Sequence, residues 1–210
     1  MTKTNNKMVV LTALLCLVPI IFGLIFWNDL PEAVPTHFGA DNQPDGWSSK
    51  PFAVFGLPFI IMALHLACVF GTKADPKYRN INGKMLSFVL WICPVISNLC
   101  GGLMYSFALG REVNIGLWLT LLIGIVFIVV GNYLPKSRQN YTVGIKIPWT
   151  LSDVENWNAT HRFAGRLWMV AGVVILGTAW LGQMLVFIPI VVLMVAAPVL
   201  YSYLYFRKNH

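Results

Sequence analysis

The sequence predicts an all-α membrane protein: six transmembrane helices in a bundle, a small outer hairpin loop, and a structured cytoplasmic loop between helices 4 and 5. Three observations predict it. First, of 210 residues 57% are hydrophobic and only 11% are charged, against about 45–50% apolar residues in soluble domains; the mean hydropathy is +0.68. Second, the charges are segregated. Residues 8–28, 51–72, 85–110 and 113–135 carry none, and each interval reaches the roughly 20 residues that a spanning helix needs. Residues 167–206 form a further charge-free run of 40. At about 1.5 Å per residue that run is twice the membrane thickness, so it divides into two helices, with Gly182-Gln183 as the expected turn. Third, thirteen of the fifteen basic residues fall on one side of this arrangement when the N-terminus is placed inside, leaving only Lys50 and Arg111 outside. Both termini are therefore expected in the cytoplasm. Net charge +7 follows from this topology. It calls for no direct nucleic-acid partner, and no basic stripe or RNA-binding motif supports one.

The first span is read as an uncleaved signal anchor: it is longer than a signal-peptide core, and Phe26-Trp27-Asn28-Asp29 offers no small-residue cleavage site. Trp27 is an interface anchor. In the outer loop 28–50, Pro31, Pro35 and Pro44 exclude a continuous helix, and Pro44-Asp45-Gly46 signals a turn. Strands from Val34 to Phe38 and around Trp47 are expected to form a hairpin cap. Span 2 runs over Pro51–Thr72, span 3 ends near Leu109, and Arg111-Glu112 turns the chain into span 4. Residues 1–84 are read as a two-helix module and residues 85–210 as a four-helix module. Cys16, Cys68, Cys93 and Cys100 all lie in expected spans without a CxxC pair, so apolar packing is their expected role.

The polar loop 135–166 stands apart. Seven charged residues lie between Lys136 and Arg166, mixed with two tryptophans, and connectors in compact proteins are usually short. Thr150-x-x-Asp153 and Ser152-x-x-Glu155 both match helix-start capping patterns. A short helix from about Asp153 to Ala164 would place Trp157 and His161 on one face at i,i+4 spacing. Candidate residues here are Arg138, Asn140, Lys146, Trp149, Thr150, Trp157, His161 and Arg162, as a face for a partner or an anionic group. Interface anchoring by tryptophans and basic side chains is the competing account. It does not require Asn140, Pro148-Trp149-Thr150 and His161 together.

The pattern Gly131, Asn132, Pro135, Asn140, Gly144, Ile145, Lys146, Pro148, Trp149, Thr150, Leu151, Trp157, His161, Arg162 and Gly165 closely resembles the hallmark of the SdpI family, immunity proteins against a sporulation-delaying toxin. Lys146 stands where an Arg is common, which keeps the charge and loses the fork geometry. Leu30-Pro31, Val34-Pro35, His37-Phe38, Gly46 and Lys50-Pro51 are similar to the module that often precedes that hallmark. The resemblance implies toxin immunity, in some members with signalling through a cytoplasmic transcriptional repressor; capture of the peptide toxin at the outer face is the mechanism expected from the hairpin and the acidic outer loops.

In the outer loop, His37, Asp41, Asp45 and Trp47 are the candidate toxin-binding residues. His37, Asp41 and Asp45 are spaced by four. Two carboxylates and one imidazole on a turn-rich loop form no recognised ligand signature, so no metal and no cofactor are expected. Five acids against two bases outside favour basic partners. Within the spans there is no Asp, Glu, Lys or Arg, which argues against ion-coupled transport. His65 is read as an interhelical hydrogen-bonding residue, with proton transfer as the alternative. Ser97-x-x-x-Gly101 and Gly102-x-x-x-Ser106 mark close helix packing, and Pro58, Pro94, Pro189 and Pro198 are expected to kink their helices. HExxH, GxSxG and phosphate-loop signatures are absent. The function expected is a membrane immunity protein, with a transporter of small molecules or lipid second and a membrane enzyme with a cytoplasmic-face site last.

Overall fold

A computed structural model describes residues 6–39, 41–181 and 184–209. Among these, the elements are α1 (Asn6–Leu15), α2 (Val18–Ile25), β1 (Ala33–Phe38), β2 (Pro44–Ser49), α3 (Leu57–Lys73), α4 (Gly83–Ala108), α5 (Ile115–Tyr133), α6 (Pro148–Ser152), α7 (Val154–Thr178) and α8 (Met184–Asn209). Five helical stretches are long and apolar enough to cross a membrane: 6–25, 52–73, 83–108, 115–136 and 187–209. The remaining long helix, α7, begins with Glu155, His161, Arg162 and Arg166, ahead of its charge-free part from Leu167. The turn expected at Gly182-Gln183 lies outside the described residues. Large apolar side chains such as Val10, Ile21, Phe59, Leu64, Val170 and Val173 are exposed, which suits helices whose solvent is hydrocarbon.

The chain divides into two compact units: residues 1–70 with 86–115, and residues 71–85 with 116–210. In the first unit the expected continuous span 1 is broken between α1 and α2. Pro19 has no N–H to give to the Leu15 carbonyl, one turn earlier. Asn98 Nδ2 supplies the missing donor at 2.9 Å. Ile20 N bonds Leu17 O, and the Cys16 carbonyl accepts from Ser97 Oγ at 2.7 Å. Ser97, read from the sequence as a close-packing residue, and its neighbour Asn98 thus satisfy the backbone of a broken helix.

His65, fully buried, lies 3.0 Å from Thr12 Oγ1 through Nε2, a hydrogen bond between helices. Thr12 already donates to the Met8 carbonyl at 2.8 Å, so the imidazole is the donor to it. Span 2 opens with a π-helical turn, Phe52–Gly56, before α3. Leu30, Val34, Ala53, Val54, Met104 and Tyr105 form the buried core beneath the hairpin.

In the second unit, α5 and α7 run antiparallel on four glycines. A Cβ on Gly131 would lie 2.8 Å from the Gly165 carbonyl oxygen, and one on Gly172 would lie 2.7 Å from that of Gly124. The spacing is seven residues on each helix, a small-residue seam that permits backbone contact. In α8, Pro198 leaves the Met194 carbonyl without its helical donor. Trp168 Nε1 fills that place at 2.9 Å. α8 continues through both of its prolines.

Candidate functional site

The two groups of residues singled out in the sequence lie in separate units. The outer group sits on a two-stranded antiparallel hairpin pairing Ala33 with Ser49 and His37 with Gly46. Asn42, at φ 64°, and the Gly39 N–H to Gln43 O bond close its turn. His37 Nδ1 and the Asp45 carboxylate form an exposed hydrogen bond across the strands. Asp41 is used differently: its carboxylate accepts from Gln43 N at 3.1 Å and holds the turn. Trp47 shares the open side of β2 with Asp45 and is 57% exposed. The hairpin is fastened at its base by Lys50, whose ammonium is buried against the Trp27 carbonyl at 3.2 Å and the Glu32 carboxylate at 2.9 Å. Phe38 packs edge-on against Phe107. Among the described residues no cluster of three or more His, Cys, Asp or Glu gathers in metal-binding geometry.

The loop group separates into buried and exposed residues. Asn140 is fully buried, and its amide hydrogen-bonds on both sides. Nδ2 donates to the carbonyls of Arg138 at 2.9 Å and Val143 at 3.0 Å. Oδ1 accepts from Thr142 N at 3.0 Å and Val143 N at 2.7 Å. One side chain thereby replaces the secondary structure this turn lacks.

Trp157 and His161, one helical turn apart, stack with ring centroids 3.9 Å apart. Trp157 Nε1 donates to Ser137 O at 2.9 Å. His161 Nε2 accepts from Ile145 N at 3.0 Å, and its Nδ1 donates to Trp157 O at 2.7 Å. Those two bonds require the neutral ring. Burial pushes the His161 pKa down to about 4, with the Trp157 carbonyl opposing weakly. Gly144 is demanded twice. Its φ is +125°, and a Cβ there would strike His161 Nε2 and come within 2.9 Å of the Trp157 ring.

Thr150 Oγ1 donates to Ile145 O at 2.7 Å and accepts from Ile147 N at 3.2 Å inside the α6 turn. Neither capping pattern expected from the sequence starts the long helix. Asp153 is the N-cap and accepts from Glu155 N at 2.8 Å. The helix expected from Asp153 to Ala164 forms the first half of α7, which continues to Thr178. Trp149 is half-buried against Tyr203 of α8, with centroids 5.2 Å apart. Arg138, Lys146 and Arg162 are exposed. The structure thus uses Asn140, Thr150, Trp157 and His161 to hold the loop and leaves the three cations on its surface.

Several residues of this network were not legible in the motif. Asp75 accepts from Thr142 Oγ1 at 2.6 Å, Tyr141 N at 2.8 Å and Lys77 N at 2.7 Å. Burial opposes its charge, yet these donors hold its carboxyl below the usual value. Gln139 bridges Lys77 Nζ at 2.6 Å to the Thr150 and Leu151 carbonyls, both at 2.9 Å. Asn156 joins α7 to α8 through the Ser202 carbonyl at 3.0 Å and the Ser202 hydroxyl at 2.7 Å. The available signal was Asp75 itself, a lone acid among Lys73, Lys77, Arg79 and Lys84.

Residues 136–202, which hold most of this network, match the SdpI/YfhL protein family. This stretch of the chain is thus similar to that family. Residues 14–62, from the broken first span through the hairpin into span 2, match a domain of unknown function, DUF1648. Over 213 residues the chain is 28% identical to the Immunity protein SdpI of Bacillus subtilis (strain 168), covering 97% of each chain. No solved structure matches. The resemblance read from the hallmark residues is therefore found over nearly the whole length.

Proposed function

We propose that this chain is a plasma-membrane immunity protein that protects its cell against a membrane-active peptide toxin. The observation that carries the proposal is its 28% identity, over 97% of both chains, to an immunity protein. In this reading α7's charge-free half is the fifth of six spans and both termini are cytoplasmic. The hairpin bearing His37, Asp45 and Trp47 then faces outward and captures the toxin. Trp47 supplies exposed apolar area, and the outer acids attract cationic residues. Transmission to a cytoplasmic repressor is the second part. Exposed Arg138, Lys146 and Arg162 on a loop held by buried hydrogen bonds make a shape-stable cationic face, a surface suited to an acidic protein partner. Such signalling requires that toxin bind two states of the protein with different affinity.

The test is expression in a sensitive bacterium challenged with candidate peptide toxins. Survival with unchanged extracellular toxin supports immunity, and sensitivity to every member of the class removes it. Changing His37, Asp45 and Trp47 together to Ala should abolish survival at unchanged membrane abundance. Survival of that variant would take capture away from the hairpin while leaving immunity itself standing.

A further inference from the structure

We infer that the first unit contains a binding cavity for one acyl chain of an anionic membrane phospholipid, with the phosphate held by Arg111. A cavity of about 290 Å³ lies among Pro19, Phe22, Phe26, Gly102, Tyr105 and Arg111. Its surroundings are irregular on two elements: the break between α1 and α2, and the π-helical turn at Phe52–Gly56, whose Val54 packs against Gly23 near the Tyr105 hydroxyl. Non-helical backbone at membrane depth is tolerated where it is buried in protein or lines a cavity, and π-turns recur at functional positions. Tyr105 is 4% exposed and its hydroxyl, buried in the wall, has no hydrogen-bond partner. An orphaned buried hydroxyl is costly unless something supplies an acceptor.

Charge and access choose the occupant. Phe22 is 51% exposed beside the cavity, which leaves that flank apolar and accessible from the bilayer. Arg111 is exposed at the other extreme, just beyond the α4 C-terminus and the Gly110 turn, where φ is +79°. Among the described ion pairs Arg111 has no carboxylate partner, and a guanidinium fork matches a phosphate in two hydrogen bonds. The site lies below the hairpin of the same unit, where Asn42 Nδ2 bonds the Val113 carbonyl at 3.0 Å. It is independent of the proposal that the hairpin captures a toxin.

The experiment uses the full chain in phosphatidylcholine vesicles with a trace of phosphatidylglycerol carrying a diazirine on one acyl chain, photolabelled and mapped by mass spectrometry. Labels should concentrate on residues 19–26 and 98–111, at least fivefold above the same probe made on phosphatidylcholine. Gly102→Leu should lower labelling there at least fivefold, with residues 170–174 unchanged. A side chain at Gly102 meets open space, so this variant fills the cavity without a clash. Arg111→Gln should erase the headgroup preference and Arg111→Lys should restore part of it. The inference fails if the two probes label equally, or if Gly102→Leu leaves labelling intact. It also fails if an added peptide toxin displaces the probe at one equivalent, which would assign the cavity to the peptide.

Discussion

Asn140→Ala removes the side chain on which the loop 137–143 is wound. Four backbone groups lose their partners: the carbonyls of Arg138 and Val143 and the N–H groups of Thr142 and Val143. A buried group left unsatisfied costs about 1–3 kcal/mol. Water admitted to the truncated site recovers part of that, so a net loss of about 3 kcal/mol is expected at this fully buried position. At about 1.4 kcal/mol per tenfold, this corresponds to a roughly hundredfold rise in the open population of the loop. Hydrogen exchange in detergent or nanodiscs reads it, and the decisive amide is Ile145. Its acceptor is His161 Nε2, which Asn140 does not touch. If Asn140 organises one cooperative loop, Ile145 exchanges about a hundredfold faster in the variant. Lys146→Ala, an exposed change on the same loop, should move it little, since surface changes stay within about 0.5 kcal/mol. Faster exchange at Thr142 and Val143 with Ile145 unchanged would refute the cooperative loop and reduce Asn140 to a local turn residue.

Other expectations follow from the same contacts. His161 binds its proton only near pH 4 in the folded loop and near 6.5 when unfolded. The unfolded chain therefore takes up the proton first, and stability falls as pH drops from about 6.5 toward 4, by at most about 3 kcal/mol. Denaturation at pH 7.5 and 5 should show that slope, and His161→Gln should flatten it. Gly131→Val should cut the yield of monodisperse protein in size-exclusion chromatography, because the new side chain meets the Gly165 carbonyl and Met169 N at 2.8 Å, whereas Gly177→Ala, in open space, should be silent. Arg162→Lys keeps charge and exposure, so it should leave stability unchanged. If the cationic face reads a partner by fork geometry, it should weaken signalling severalfold in a reporter assay, and wild-type signalling would leave the loop an anchor. For topology, cysteines at Gln43 and Ser152, both exposed, should label from outside and inside in a chain lacking the four natural cysteines. Ser137 is a poor site for this test, being 2% exposed beneath Trp157.

Much of the fold was legible because a bilayer imposes one-dimensional rules. A charge-free interval of 20 residues has few options in water and one in lipid, so spans 2 to 4 fall close to where their charges bound them. The hairpin was legible from Pro44-Asp45-Gly46 and the prolines that forbid a helix there. The loop motif was legible as a site, since its residue types are too particular for a connector. Their division of labour was not. Asn140 and His161 look like binding residues in sequence, being polar and placed in a loop. Only their burial, and the bonds they make to carbonyls and N–H groups a few residues away, makes them the loop's internal support.

By itself, then, the sequence determined what local composition and periodicity can encode: apolar spans, the basic asymmetry between their ends, the turn, and the i,i+4 pairing of Trp157 with His161. Tertiary structure alone decided what depends on residues far apart in the chain. Pro19 announces a break in the first span, yet whether that break survives depends on Ser97 and Asn98, some eighty positions later, meeting the freed carbonyls. The seven-residue glycine spacing has meaning only once Gly131 faces Gly165 and Gly124 faces Gly172. Asp75 becomes part of the loop only through Tyr141 and Thr142. A backbone group that loses its helical partner must find another wherever the fold brings one, and no local pattern records where that will be.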